Sequence, residues 1–416
     1  MKQDYFKSAI VKTLLICISV AATALAGEGV VRLLTNTETL PGYVFHEGYG
    51  ILHDPKAPGV NALGFMDKER ALQKPDGVYR VLLLGDSFID GAKVDVYLEQ
   101  ALAKAMPDRQ FEVIPMGISG TGTLEHLMFF EKIGRQFHPD MVVDVFVPND
   151  FANNSNILEA IRLRFDPNRP GRNFVHEVYD GTQYVMEPIP ASADYHERLL
   201  KELPPHPQQS VFLPLERRLN TLFSNSYLYN FITNRIYAID EDSLFHRFDA
   251  EYAYRYCQLS ANPGIKEKFK GWAYPYDLDM DAMFLVNEEP LPQVFSDALK
   301  YTQYAFHQFE RYAKEDHFVF IEAFSDSCTY FPASWLKDWR KYAERAHRTI
   351  DPQNFVNRLE ALCKAESVMT CDLYPTFAKR GDLVDAHLEG DNHWNETGKR
   401  YAAEDIAHCI ASALSK

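Results

Sequence analysis

The chain has 416 residues, 46% of them hydrophobic and 13% aromatic, which is enough to bury a large core in one elaborated domain or in two. Its formal net charge is −15 at pH 7. Because nucleic-acid binding needs a basic surface, this balance argues against a nucleic-acid partner. The net charge does not discriminate among neutral substrates.

The N-terminus has the order of a targeting segment. Lys2, Lys7 and Lys12 precede an apolar run, residues 13–26, which ends in the small-residue pattern Ala24-Leu25-Ala26-Gly27. We expect residues 1–34 to be a cleaved signal peptide or an uncleaved anchor in the inner membrane. Both place the body of the protein outside the cytoplasm, in the periplasm or secreted. The alternative is a buried N-terminal helix of a cytosolic protein.

The cysteines show neither a C-x-x-C pattern nor a Cys/His spacing typical of zinc ligands, so no metal or cofactor is expected. They are Cys17, Cys257, Cys328, Cys363, Cys371 and Cys409. Outside the cytoplasm, Cys363 and Cys371 could close a small disulfide loop.

The first strong strand signal is the apolar run Val81-Leu82-Leu83-Leu84, which stops at Gly85-Asp86-Ser87. An uninterrupted apolar run predicts a strand buried on both faces of a parallel sheet. Ser87 then lies at the carboxyl edge of the sheet, where α/β proteins bind their ligands. It is a candidate nucleophile; alternatively, Asp86 or Ser87 caps a helix that begins near Ala92.

The next elements repeat this pattern. We predict a helix over 94–105, a strand over 111–116, a helix over 124–136 and a strand over 141–147. The first of these strands runs into the glycine-rich loop 117–123, and the second ends at Pro148-Asn149-Asp150. The loop lacks the Gly-Lys-Ser/Thr ending of a phosphate loop. Successive strands therefore deliver small or polar residues to one edge.

The alternation stops between residues 152 and 291, which we interpret as an inserted cap or lid. This region predicts a hairpin over 174–188, a Pro-rich connector at 203–207, a helical run over 211–239 and an aromatic tract from 252 to 276. The aromatic side chains could stack on sugars or acyl chains, or form core. The αβ order resumes with helices over 294–314, 353–365 and 401–414 and strands over 317–322 and 367–372.

The C-terminal segment contains the partners that a serine nucleophile needs. Imidazole supplies a base with a pKa near neutrality, and a carboxylate orients it. Asp391 and His393 are two residues apart in an irregular loop that leads into the last helix. A second pair, Asp385 and His387, has the same spacing; we prefer His393 because glycines frame it and its loop leads into that helix at the end of the domain.

Together these motifs resemble those of the SGNH (GDSL-type) hydrolases, in an exported bacterial branch. The matching motifs are Asn61-x-x-Gly64-Phe65, Gly85-Asp86-Ser87, Gly117, Asn149-Asp150 and Asp391-x-His393-Trp394-Asn395-x-x-Gly398. The resemblance implies a three-layer α/β/α fold with a mostly parallel, flavodoxin-like sheet. That domain would comprise residues 35–151 and 292–416, with residues 152–291 as the inserted cap.

By this resemblance Ser87 is the nucleophile, His393 the general base and Asp391 its orienting acid. The backbone N–H groups of Ser87 and Gly117 and the side-chain amide of Asn149 would form the oxyanion hole. Two features depart from the common family pattern: Val147 stands where many members have glycine, and the acid and base are spaced Asp-x-His instead of Asp-x-x-His.

The sequence therefore predicts an extracytoplasmic serine esterase or O-acyltransferase that acts through an acyl-enzyme. Its expected partner is a small-molecule or polysaccharide ester, with an acetyl or other short acyl group on a carbohydrate. One alternative is a lipase or thioesterase for longer acyl chains. Another is a non-catalytic carbohydrate-binding protein of the cell envelope on the same fold.

Overall fold

The computed structural model describes residues 23, 25–28, 42–46, 50–162, 174–179, 184–189, 256, 259, 265–272, 280–331, 333–380, 386–388 and 391–415. Two compact units are distinguished: residues 1–40 with 205–254, and residues 41–204 with 255–416. The first unit, the Pro-rich connector and the helical run 211–239 lie outside the described residues, apart from 23 and 25–28. The proposed domain bounds stay a prediction.

The described strands are β1 Tyr43–His46, β2 Gly50–His53, β3 Val78–Gly85, β4 Gln110–Gly117, β5 Met141–Phe146, β6 Phe174–Tyr179, β7 Tyr184–Ile189, β8 Val319–Phe324 and β9 Met369–Asp372. Five of them form a parallel sheet in the order β4-β3-β5-β8-β9. β1 with β2, and β6 with β7, form separate antiparallel pairs. The parallel sheet and the hairpin near residues 174–188 are confirmed.

The described α-helices are α1 Val94–Ala105, α2 Thr123–Lys132, α3 Asp150–Asn153, α4 Asn156–Arg162, α5 Gln293–Asp316, α6 Ala333–Arg345, α7 Gln353–Glu366, α8 Tyr374–Lys379 and α9 Glu396–Leu414. Helices α1 and α9 pack with alternate strand residues in one core cluster. Side chains of α2, α5 and α7 cover the other face, where Phe146 contacts Phe306 and Phe355 and where Phe309 stacks on Phe320. The three-layer α/β/α architecture is therefore confirmed.

The sheet reverses its order at β3. The chain places β4 on one side of β3 and β5 on the other, so the carboxyl end of β3 is a topological switch point. In open α/β sheets the crevice at such a point is where ligands bind. Val81, Leu82, Leu83 and Leu84 are completely buried, as expected for a strand covered on both faces. Ser87 follows this strand by two residues.

The disulfide joins Cys371 at β9 to Cys409 in α9, and Cys363 is a buried free thiol. The predicted pairing of Cys363 with Cys371 is therefore wrong. Cys363 lies inside α7, where its side chain is buried, and the partner of Cys371 is Cys409. In the described part of the chain, no helix is both long and apolar enough to cross a membrane.

Candidate active site

Ser87 lies in a tight turn directly after β3. The Asp86 carboxylate accepts a hydrogen bond from the Phe88 N–H at 3.1 Å, and the Asp86 carbonyl accepts one from the Ile89 N–H at 3.0 Å. A Cβ atom at Gly85 would lie 2.5 Å from Cγ1 of Ile89. Glycine is therefore required for the chain to fold back this closely.

The helix-cap interpretation of Asp86 and Ser87 is wrong. Helix α1 begins later, at Val94, and its N-cap is Lys93, with no side-chain capping bond. The Asp86 carboxylate instead fixes its own turn, which leaves the half-buried Ser87 side chain at the edge of the sheet.

The structure brings Ser87, His393 and Asp391 together. Ser87 Oγ lies 2.7 Å from Nε2 of His393, and Nδ1 of His393 lies 2.7 Å from Oδ1 of Asp391. The same carboxylate oxygen accepts the His393 backbone N–H at 3.1 Å. This is the hydroxyl–imidazole–carboxylate arrangement of a serine hydrolase, with distances that permit proton transfer from the hydroxyl to the imidazole.

The electrostatics of the triad suit a base at Nε2. The hydrogen bond from His393 lowers the pKa of Asp391 below its ordinary value, against the effect of partial burial. Burial disfavours the charged form of His393, but the hydrogen bond and charge of Asp391, with the charge of Asp86, outweigh it and raise its pKa. The carboxylate therefore stabilises the imidazolium that forms when the serine loses its proton.

Aromatic packing holds the His393 ring in place. Phe88 stacks on it with 4.8 Å between ring centroids and 25° between planes, and Trp394 meets Phe88 edge-on at 4.8 Å. The indole Nε1–H of Trp394 donates to Oδ1 of the buried Asp326 at 2.6 Å. Because Trp394 is anchored in this way, the neighbouring imidazole has a fixed approach to the serine.

His387, the competing histidine, lies elsewhere. Its Nε2 is 2.9 Å from Oδ2 of Asp326, its ring stacks on Tyr330, and its exposure is 6%. Asp385, its proposed acid, lies outside the described residues. His387 and Trp394 thus contact opposite oxygens of one buried carboxylate, which makes His387 a supporting residue of the His393 loop.

Asn149 is placed beside the nucleophile turn. Its Nδ2 donates to Oδ2 of Asp86 at 3.2 Å, and Ser87 Oγ lies 3.2 Å from the same oxygen. Burial raises the pKa of Asp86, against the effects of the Phe88 and Asn149 hydrogen bonds. A carboxylate only accepts hydrogen bonds, so it fixes which end of the Asn149 amide faces the turn. One amide hydrogen remains for a substrate oxygen.

Ile118 donates its N–H to the Gly85 carbonyl at the end of the β3–β4 pair, directly after Gly117. A Cβ atom at Gly117 would be 2.7 Å from the Asp90 nitrogen, so the absent side chain serves packing. The donor role of Gly117 stays a prediction.

A second backbone N–H in the loop 117–123, that of Gly120, is a candidate oxyanion-hole donor that the sequence analysis missed. Gly120 has φ 74°, and the turn around it is closed by the Thr121 N–H donating to the Ile118 carbonyl. Among the described residues, the N–H groups of Ser87 and Gly120 have no hydrogen-bond acceptor. The sequence feature that indicates this turn is the glycine at the third position of Ile118-Ser119-Gly120, where a tight turn needs a positive φ.

Two buried polar clusters were also missed. Asp90 contacts His53 and Ser119 close to the nucleophile turn. On the face covered by α2, His126 Nδ1 lies 2.8 Å from Asp144, and Glu322 is the cross-strand neighbour of Asp144. Each pair joins residues far apart in the chain.

Neither the scan against protein-family models nor the search of curated proteins matched this chain. Solved structures do match. The lipase/acylhydrolase from Enterococcus faecalis is 11% identical, with a TM-score of 0.36, and the match covers 80% of this chain and 96% of that one.

A GDSL-like lipase from Bacteroides thetaiotaomicron is 10% identical, with 81% and 87% coverage and a TM-score of 0.31. An acetyl-xylooligosaccharide esterase from Geobacillus is 10% identical, with 81% and 94% coverage and a TM-score of 0.34.

Proposed function

We propose that this protein is a serine esterase that forms an acyl-enzyme on Ser87. The observation that carries the proposal is the continuous chain of contacts from Ser87 Oγ to His393 Nε2 and from His393 Nδ1 to Asp391, each 2.7 Å long. A serine hydroxyl is a weak nucleophile by itself, and an oriented imidazole is the usual means of activating it.

The reaction proceeds in two halves. Ser87 Oγ attacks the ester carbonyl carbon while His393 Nε2 takes the hydroxyl proton, and the resulting oxyanion is met by N–H donors. Collapse breaks the bond to the alcohol oxygen, which takes the proton back from His393. The acyl group is then on Ser87. Water next attacks with His393 as base, releasing the carboxylic acid and restoring the serine hydroxyl.

We place the substrate among short acyl esters, acetyl in particular, carried by a carbohydrate. The described residues around Ser87 offer amide and carboxylate groups, namely Asn149 and Asp391, which suit hydroxyl-rich molecules. If a sugar hydroxyl replaces water in the second half, the same site performs O-acyl transfer. The two outcomes differ only in the acceptor.

Leu388 favours a second candidate, an esterase for longer acyl chains. It is 50% exposed, and its N–H donates to the His393 carbonyl at 2.9 Å. An exposed leucine attached to the base-bearing loop could contact an apolar chain. A p-nitrophenyl ester series from acetate to octanoate decides between the two: a maximum at octanoate that Leu388→Ser removes would favour longer chains.

The extracytoplasmic location is part of the proposal. The basic-apolar-small order of residues 2–27 supports export, and the Cys371–Cys409 disulfide suits an oxidising compartment. Attachment to the inner membrane through the N-terminal segment belongs to the same proposal. Cell fractionation with a non-reducing gel tests it; a reduced protein in the cytoplasmic fraction would contradict it.

The activity is tested with p-nitrophenyl acetate, alone and with a sugar acceptor. We expect a burst of p-nitrophenol that Ser87→Ala abolishes and that Ser415→Ala, at the opposite end of α9 from the His393 loop, leaves intact. Acetylated sugar would identify transfer, and free acetate would identify hydrolysis. Tight oligosaccharide binding without turnover, unaffected by Ser87→Ala, would instead identify a binding protein.

A further inference from the structure

Asp90 is a buried carboxylate that the proposed reaction does not use. It belongs to the nucleophile turn, because its backbone N–H donates to the Asp86 carbonyl at 2.9 Å. The residue is 5% exposed, and its side chain is completely buried. Burying a carboxylate is costly unless several donors satisfy it, so the partners of Asp90 should reveal why it is there.

The two oxygens of Asp90 contact two different segments. Oδ2 accepts the backbone N–H of Ser119 at 2.9 Å and its hydroxyl at 2.7 Å. Oδ1 lies 2.7 Å from Nε2 of His53, a completely buried residue of β2. A carboxylate has no hydrogen to donate, so Nε2 of His53 carries the proton in this contact. The ring of Tyr43 in β1 stacks on the His53 ring, with 5.0 Å between the ring centroids.

Asp90 thereby joins three segments that are remote in sequence: the β1–β2 hairpin, the turn that carries Ser87, and the loop after β4. Ser119 immediately precedes Gly120, whose N–H has no acceptor among the described residues. The Asp90 side chain therefore sets the spacing between Ser87 and the backbone N–H donors of the loop 118–122. Donors stabilise an oxyanion only when they are held in place before the reaction.

We infer that Asp90, supported by His53, is a positioning residue that holds the loop 118–122 against the nucleophile turn so that its backbone meets the oxyanion. The inference rests on the proposed function. It assigns Asp90 no contact with substrate. Loss of the anchor should therefore weaken stabilisation of the tetrahedral intermediate and leave ground-state binding of the ester unchanged.

The test compares graded variants. Asp90→Ala removes both anchors, and we expect kcat to fall about 100-fold with KM within about twofold, the size of effect that a displaced catalytic group produces. Asp90→Asn keeps an oxygen for Ser119, so kcat should recover to within about fivefold of the wild type. Ser119→Ala removes only the hydroxyl, so its kcat should lie between those of Asp90→Ala and Asp90→Asn. Active-site titration corrects each rate for the fraction of folded enzyme.

A second readout separates positioning from general damage. The rate at which a small fluorophosphonate reacts with Ser87 should fall in parallel with kcat, since that reaction also develops charge on an oxygen in the oxyanion hole. The inhibition constant of an unreactive amide analogue of the substrate should not change. Asp140→Ala is the matched control: Asp140 accepts from Lys74 and from the Arg80 N–H before the start of β5, at the opposite end of the sheet.

Each outcome of these measurements supports or overturns the inference. If Asp90→Ala raises KM with kcat unchanged, or loses no more activity than Asp140→Ala, the inference is wrong. If Asp90→Ala does not fold, Ser119→Ala and Asp90→Asn are decisive, and unchanged kcat in Ser119→Ala overturns the inference. If the wild type neither turns over esters nor reacts at Ser87, the proposed function itself fails, which is distinguishable from an active wild type with indifferent Asp90 variants.

Discussion

The Ser87 hydroxyl oxygen and the His393 Nε2 atom lie 2.7 Å apart although 306 residues separate them in the chain. Ser87 follows the end of β3, and His393 lies in the loop before α9. The fold therefore brings together a residue after the first strand of the parallel sheet and a residue before the last helix.

The two histidines of the C-terminal segment should respond differently to truncation. His393→Ala removes the base, and we expect kcat to fall by about 10⁴-fold or more with the unfolding free energy nearly unchanged. His387→Ala leaves the buried Asp326 without one contact and should cost about 1–3 kcal/mol of stability, with most activity retained. Steady-state kinetics and thermal unfolding of both variants check this; the reverse pattern would assign the base to His387.

The acid limb of the pH–rate profile should report His393. Its pKa is raised, mainly because Asp391 overcomes the effect of burial, and the base must be neutral to act. We therefore expect kcat/KM to fall as the pH drops through a value above the ordinary histidine pKa of about 6.5. Asp391→Asn removes the charge, so the limb should move to lower pH while kcat falls. An acid limb that stays in place in Asp391→Asn would exclude Asp391 as the orienting acid.

Asn149 should contribute to the transition state more than to binding. We expect Asn149→Ala to lower kcat by about 10²–10³-fold with little change in KM, as removal of an oxyanion donor does. Asn154→Ala is a useful contrast: Asn154 is buried nearby, and its side chain contacts Leu124 and Thr302. A large loss of stability with unchanged kcat is expected for that variant. Equal kcat losses in both would show that general disruption explains the Asn149 effect.

The Cys371–Cys409 disulfide should stabilise the fold by constraining the unfolded chain. A separation of 38 residues corresponds to about 4 kcal/mol in the loop-entropy description. Cys371→Ser or reduction should therefore lower the melting temperature markedly. Cys363→Ala, at a free buried thiol, should lower it less and leave the protein sensitive to reductant. Insensitivity of the wild type to reductant would argue against the disulfide.

Glu322 should make stability depend on pH. Burial, followed by the charges of Asp144 and Asp150, raises its pKa well above the ordinary value. A carboxyl with a raised folded pKa binds its proton more tightly in the folded state, so its contribution is present at low pH and is lost as the pH rises. Glu322→Gln should flatten the fall in melting temperature as the pH rises above the ordinary glutamate pKa, whereas Glu360→Gln on the surface of α7 should not. Identical pH dependences in both variants would exclude this role.

The strands were the most predictable part of the fold. The run Val81–Leu84 predicted a buried central strand because every residue in it is apolar, and both faces are indeed covered. Helix α9 was predicted to begin at Tyr401 but begins at Glu396. The spacing of apolar residues does not indicate this start because the first turn of the helix is polar. The Asn395 side chain caps it by accepting the N–H groups of Thr397 and Gly398.

Tertiary pairings were less predictable. The sequence marked Asp391 and His393 through their short spacing and the resemblance, yet nothing in it joined His53 to Asp90, which are 37 residues apart. Asp144 likewise lies within an apolar strand, where its pairing with His126 depends on how α2 crosses the sheet. Such contacts are set by the packing of whole elements, not by local patterns.

The central claim is that Ser87 carries the acyl group, and mass spectrometry of the protein after brief exposure to a fluorophosphonate tests it most directly. We predict one adduct per chain, mapped to Ser87, absent in Ser87→Ala and formed much more slowly in His393→Ala. A folded, ester-hydrolysing protein that forms no adduct at Ser87, or forms it equally fast without His393, would contradict the account.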